Sequence, residues 1–224
     1  MNSIVISIGG SVVLSEDLDK SFFKDFSSMI KDFSRFFKIF IVVGGGKIAR
    51  HYISFGRSLN FDEKKLDEIG IDVTRINAKI LAKILGLKQK NMPNTTDEAL
   101  DIDASVVVMG GTIPGHSTDF VGAELAMKTN ASKYIIATNV DGVYDKDPNK
   151  FDDAVQLKNI NISDLIEEYG TDWKSAGKNI VIDGPALSII DKANIKTFVL
   201  NGKKINEIRN VLNDKEFNGT VIKN

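Results

Sequence analysis

The chain contains no cysteine, which excludes disulfide bridges, thiolate metal sites and cysteine nucleophiles. Histidine is scarce, with two in 224 residues, and neither sits beside an evident orienting partner for acid–base catalysis. No stretch approaches the roughly 18 consecutive apolar residues of a membrane span. The opening MNSIVISIGGSVV lacks the basic lead of a secretory signal, and its short apolar run reads as a buried strand. An excess of one charge is missing too: 29 Lys and Arg meet 30 Asp and Glu, so no global field is available to hold nucleic acid or an anionic membrane. Any anion site must therefore be local. Four prolines and no low-complexity tract leave no linker, so residues 1–224 are expected to form one domain of a cytoplasmic enzyme.

What is present is a 42% hydrophobic content, enough for a sizeable core, arranged in alternating periods. SIVISI, residues 3–8, is a strand-like run stopped by Gly9-Gly10-Ser11. From Asp17 to Phe37, residues Leu18, Phe22, Phe26, Met29, Ile30 and Phe33 recur at helical spacing, a pattern of packing rather than of base stacking. KIFIVV, residues 38–43, runs into Gly44-Gly45-Gly46 and then the helical KIARHYISFGRSL. A long helical pattern covers Glu63 to Leu87, with a break expected near Gly70 and with Ile69, Val73, Ile76, Ile80 and Ile84 on one face. Further buried strands are predicted over 104–111, 132–142 and 194–202. Near-continuous Val/Ile runs mean strands covered on both faces, and alternation with helices predicts a parallel or mostly parallel α/β sandwich. Ligands of such sheets lie beyond the carboxyl ends of the strands, where the glycine clusters fall.

A glycine turn at a helix N-terminus offers unpaired N–H groups and the positive end of the helix dipole, a setting for phosphate. Any single such turn is equally explained by a tight corner that needs a positive φ. Three of them at strand ends, at Gly9-Gly10, Gly44 to Gly46 and Gly110-Gly111, point to a polyphosphate site. Neither G-x-x-x-x-G-K-[ST] nor G-x-G-x-x-G occurs after a strand, so the P-loop and dinucleotide templates fail. Lys47 and Arg50 occupy the first helical turn after the second cluster, where the dipole disfavours cations unless an anion is bound. GGTIPGHSTD, 110–119, is a turn-rich loop whose Ser117 and Thr118 can either cap a helix or hold a second anion. His51 reads as a surface or packing residue. TNVDGVYDKDP, 138–148, suits a nucleotide pocket with Tyr144 near a base, and is also ordinary turn chemistry.

In this order, SIGGSVV, VVGGGKIARHY, GGTIPGHSTD and TNVDGVYDKDP, with VIDGPA at 181–186, resemble the amino acid kinase superfamily and, within it, the UMP kinases in their compact archaeal form. The resemblance spans nearly the whole chain. It implies a three-layer α/β/α sandwich with a mostly parallel central sheet, and a homo-oligomer, commonly a hexamer built as a trimer of dimers. It further implies a kinase of pyrimidine nucleotide biosynthesis that uses ATP and Mg2+ and takes UMP as acceptor. Position by position, Gly10, Ser11, Gly46 and Arg50 would meet ATP, as would Thr138, Asn139, Tyr144 and Asp147. Gly45 and Asp67 would bind UMP, the latter at its ribose hydroxyls, with Thr112, Ile113, Pro114, Gly115, His116, Ser117 and Thr118 wrapping the same nucleotide. Asp119 and Asp183 match acidic positions near the reacting phosphates, acting directly, by orienting cations or through magnesium.

One departure is Ser7, where most members of the superfamily carry a lysine two residues before the first glycine pair. Lys47 is the expected substitute cation. Isopentenyl phosphate kinases resemble the chain less, since they carry histidine where Arg50 stands and need nothing like Asp67. Acetylglutamate, glutamate and aspartate kinases do not share GTIPGHSTD. A nucleotide sensor without catalysis is the reading from another class, encouraged only by Ser7. Trp173 is a further candidate for a loop over ATP.

Overall fold

A computed structural model describes residues 1–14, 20–172 and 182–223. The expected contributions of Leu18, Trp173 and Val181 lie outside the described residues.

The apolar runs form the strands they predict: the first two begin one residue earlier than expected, and those expected at 104–111, 132–142 and 194–202 are shorter. β1 (Asn2–Ile8) leads into the single turn α1 (Gly10–Val13), and α2 (Lys20–Phe33) follows. Next come β2 (Phe37–Val43), α3 (Gly46–Ser58), α4 (Glu63–Ile84), α5 (Thr96–Leu100) and β3 (Val106–Met109). The second half holds α6 (Thr118–Lys128), β4 (Lys133–Thr138), the short pair β5 (Val143–Tyr144) and β6 (Gln156–Leu157), then β7 (Asn159–Asn161) and α7 (Ile162–Tyr169). It closes with α8 (Gly184–Lys192), β8 (Thr197–Asn201), α9 (Ile205–Leu212) and β9 (Gly219–Lys223).

Seven strands make one sheet in the order β3-β2-β1-β4-β8-β9-β7, parallel except where β9 runs against β8. β1 sits between β2 and β4, with Ser7 paired to Val42 on one side and Ile136 on the other. Its side chains alternate. Ile4, Ile6 and Ile8 join one core with Phe26, Met29 and Ile30 of α2, Leu81 of α4 and Ile208 of α9. Val5 joins the opposite core, with Val121 and Leu125 of α6, Leu165 of α7 and Leu187 of α8. A sheet covered by helices on both faces is the expected three-layer α/β/α sandwich.

Two expectations for α4 are corrected. The helix passes through Gly70 unbroken, and of the predicted face Ile76 and Ile80 are exposed, while Leu66, Thr74, Asn77, Ala78 and Leu81 point inward. The inward positions include two polar residues and an alanine, which a count of large apolar residues ranks below isoleucine. α3 lies on α4 through Ala49 and Ile53 against Leu66 and Val73. Phe22 and Phe26 of α2 are buried as predicted, with rings 6.1 Å apart, whereas Phe36 is exposed.

Candidate active site

Because β1 and β2 are neighbours, the glycine turns at their carboxyl ends meet. A Cβ on Gly10 would stand 2.5 Å from the Gly46 nitrogen, and one on Gly46, whose φ is +67°, would stand 2.6 Å from the carbonyl carbon of Gly10. Only glycine permits that approach at either position. Neither α1 nor α3 has a side-chain cap at its N-terminus; Val12 N and Val13 N of α1 donate to the Gly9 carbonyl, and the N–H groups that precede them in each turn take no side-chain cap. Arg50, one turn into α3, donates from Nη2 to Ser11 Oγ at 3.0 Å and so ties the two turns together.

α4 fixes the second and third turns. Asn77 Nδ2 donates to the carbonyls of Gly44 at 2.8 Å and Gly45 at 3.2 Å. Thr74 Oγ1 accepts from Gly111 N at 2.6 Å, and Arg75 donates to the carbonyls of Gly111 at 3.2 Å and Thr112 at 2.9 Å. These three residues were not singled out from the sequence. Their signal was available: Thr74 and Asn77 are polar and three apart within an otherwise apolar stripe, which marks polar side chains with buried partners.

Between α3, α4 and the 110–118 loop lies a cavity of about 200 Å³. Gly45, Gly46, Arg50, Asp67, Ile113, Gly115, His116, Ser117 and Thr118 line it, so most of the residues expected at UMP come together here. Asp67 Oδ2 accepts from Gly115 N at 2.9 Å, which joins α4 to the loop across the cavity. Thr112 and Pro114 belong to the same loop without lining the cavity, and the Oγ1 of Thr112 is buried without a hydrogen-bond partner among the described residues. Lys47 is exposed on the first turn of α3, outside this lining, whereas Arg50 is within it. His116 packs its ring on Phe120, centroids 3.9 Å apart, and His51 is exposed.

A second cavity of about 300 Å³ opens where β4 ends. Thr138, Asn139, Tyr144 and Asp147, the residues expected at the adenine nucleotide, all line it, with Glu168 and Tyr169 from α7. Asp147 accepts from Asn149 N at 3.0 Å, a bond that holds its carboxyl below the usual range. Burial raises the Tyr144 phenol, and the charge of Asp141 adds to the shift.

Two carboxylates sit at the start of helices beside these cavities. Asp119, in the first turn of α6, accepts from Ser7 Oγ at 2.6 Å, and its main-chain carbonyl accepts from Tyr134 Oη at 2.8 Å. Burial pushes Asp119 up to about 7, with repulsion from Asp183 adding and the Ser7 hydrogen bond opposing. Asp183 caps α8 by accepting from Ala186 N at 3.1 Å and also accepts from Ser117 Oγ. Burial raises it as well, against the Ser117 bond. Among the described residues no group of three or more His, Asp or Glu side chains converges in a way that could hold a metal ion.

Comparison with known proteins agrees with this arrangement. Residues 2–201 match the amino acid kinase family. The uridylate kinase of Methanobrevibacter smithii is 42% identical over 222 residues, covering 98% of each chain. That of Thermoplasma volcanium is 42% identical over 215 residues, covering 95% of this chain and 94% of its own. The crystal structure of uridylate kinase from Archaeoglobus fulgidus superposes with a TM-score of 0.84 at 38% identity over 98% of this chain and 99% of the other. UMP kinase from Ureaplasma parvum superposes with a TM-score of 0.77 at 26% identity, covering 100% of this chain and 99% of its own.

Proposed function

The chain belongs to the amino acid kinase family, and from that membership we infer that it is a UMP kinase, transferring the γ-phosphoryl of ATP to UMP to give ADP and UDP. The observation that carries this reading is the cavity in which Asp67 and the 110–118 loop face the Gly45-Gly46 turn, on a chain about 40% identical over its length to uridylate kinases. UMP lies in that cavity with its ribose at Asp67 and its phosphate at Gly45. ATP lies with its base region beside Tyr144 and Asp147, and its phosphates reach the Gly10–Gly46 junction and Arg50.

A non-bridging oxygen of the UMP phosphate attacks the γ-phosphorus, and the bond from that phosphorus to the β-phosphate oxygen breaks as ADP leaves. The second pKa of a phosphate monoester is about 6, so the attacking oxygen is already largely ionised at neutral pH and needs no general base. What the protein supplies is alignment of two mutually repelling anions and compensation of charge in the transition state. The early N–H groups of α1 and α3, which no side chain caps, provide this, with Arg50 and the exposed Lys47. The hard oxygen donors of Asp119 and Asp183 suit Mg2+, which takes few carboxylates beside substrate phosphates and neutralises phosphate charge when bound.

Residues 1–224 act as one catalytic domain in the cytoplasm, in pyrimidine nucleotide synthesis. Copies associate through α3, whose outward side chains Ile48, Tyr52 and Phe55, with Leu59 just past its end, form an exposed apolar stripe. A trimer of such dimers is the expected assembly. Coupled ADP-release assays with UMP, CMP, isopentenyl phosphate and acetylglutamate test the activity. Turnover is expected to be fastest with UMP; a preference for another acceptor replaces the reading, and nucleotide binding without turnover favours a sensor.

A further inference from the structure

β1 is buried on both faces, and a hydroxyl on such a strand is costly unless it is hydrogen-bonded. Ser7 is 3% exposed. Alternation along β1 places it with Val5 on the side of the sheet that α6 covers, at the carboxyl end next to the Gly9-Gly10 turn. Its Oγ donates to Asp119 Oδ1 at 2.6 Å, joining positions 112 residues apart in the chain. From the adjacent strand β4, the buried Tyr134 donates to the main-chain carbonyl of the same Asp119 at 2.8 Å. Both the backbone and the carboxylate of Asp119 are thus held from the sheet beneath.

The groups facing that carboxylate are Ser7 from β1, Tyr134 from β4 and Asp183 from the start of α8. Asp183 repels it, so the Ser7 hydroxyl provides the favourable partner on the sheet side, and a hydrogen bond to a charged acceptor is among the stronger and more directional kinds. The neighbouring Thr118 lies against Gly44, where a Cβ would stand 3.5 Å from its Oγ1, so this end of α6 adjoins the glycine junction.

We propose that Ser7 is a positioning residue for phosphoryl transfer: its hydroxyl fixes the Asp119 carboxylate beside the glycine junction, with Tyr134 anchoring the backbone below. The assignment rests on the UMP kinase reading. It treats the serine as a working part of the site and not only as a satisfied core hydroxyl.

The test is steady-state kinetics of Ser7→Ala and Ser7→Thr with UMP and MgATP, beside calorimetric MgATP binding and thermal melting. Loss of a residue that orients a catalytic group costs about 10-fold or more in activity. The alanine variant is therefore expected to lose about that much in kcat while both KM values stay within about threefold of the parent, the signature of an interaction felt in the transition state. MgATP affinity is expected to stay close to the parent's, and the melting temperature to fall only by several degrees, as a buried carboxyl loses one hydrogen bond. The threonine variant, which keeps the hydroxyl on a strand-compatible side chain, is expected to retain kcat within about threefold. An alanine variant with parental kcat, a loss carried in KM, or a threonine variant as slow as alanine overturns the assignment. UMP-dependent ADP release by the parent, measured alongside, tests the underlying reading separately.

Discussion

At the scale of single residues, Asp67 and Asp119 present the same functional group in opposite settings. Asp67 lines the first cavity and accepts one backbone N–H from the opposing loop, so its second oxygen remains for a ribose hydroxyl. A hydrogen bond to a charged group contributes about 1.5–3 kcal/mol. Asp67→Ala is therefore expected to raise the KM for UMP by about 10-fold or more and to leave the KM for ATP within about twofold; equal rises in both would remove Asp67 from the acceptor site. Asp119 is held at about 7 by burial, above its ordinary 3.8. Between those values the unfolded chain has released a proton that the folded chain retains, so the number bound is larger in the native state and the slope of stability with pH is negative. The contribution of this group is present at low pH and is lost as pH rises towards 7. Urea midpoints of the ligand-free parent, compared with Asp119→Asn from about pH 5 to about pH 8, should converge or cross as pH climbs; parallel curves would contradict the buried-carboxyl account.

At the scale of elements, the strand ends do the positioning, and here glycine makes a quantitative demand. A methyl group at Gly10 would press on the backbone of Gly45 and Gly46 rather than on a movable side chain. Overpacking of that kind costs about 1–3 kcal/mol, and it would separate the two turns proposed to hold the phosphates. Gly10→Ala is expected to lower the free energy of unfolding, measured by urea denaturation, by that amount and to weaken ATP binding measured by calorimetry. Parental ATP affinity would mean the junction does not touch phosphate. The same elements show what can be read from a sequence. β1, β2, β3, β4 and β8 were legible because central parallel strands are written as unbroken apolar runs. β5, β6 and β7 are two or three residues long, and β9 carries only Val221 and Ile222 as large apolar residues, so periodicity had too little to count. The site motifs were legible as glycine and loop patterns. For the residues that hold them, Thr74, Arg75, Asn77 and Tyr134, the sequence offers at most the polar break at Thr74 and Asn77; what they bond lies 15 to 37 positions away and only the fold brings it near.

At the scale of the whole molecule, the turn proposed to hold phosphate and the proposed association surface belong to one helix. α3 begins at Gly46, carries Arg50 into the first cavity, and turns Ile48, Tyr52 and Phe55 outward, with Leu59 just past its end. Those four follow i, i+4, i+7, i+11 spacing, a stripe that on a lone subunit would be left to water. Phe55 is 62% exposed. Contiguous apolar surface of this kind is the usual mark of an association face, and a symmetric pairing of two copies through it would cover the stripe on both. Phe55→Glu places a charge at the centre of that stripe on each copy, where the two-fold axis sets like charges near one another. The parent is expected to sediment as a multiple of the 24.6 kDa chain, and the variant as a smaller species, down to the single chain. Because the inner face of α3 holds only small and branched residues against α4, losing the outer support should also loosen its first turn, raising the KM for ATP. A parent that sediments as a single chain would remove the stripe from any role in assembly, and a variant that dissociates with unchanged kinetics would uncouple the assembly from the site.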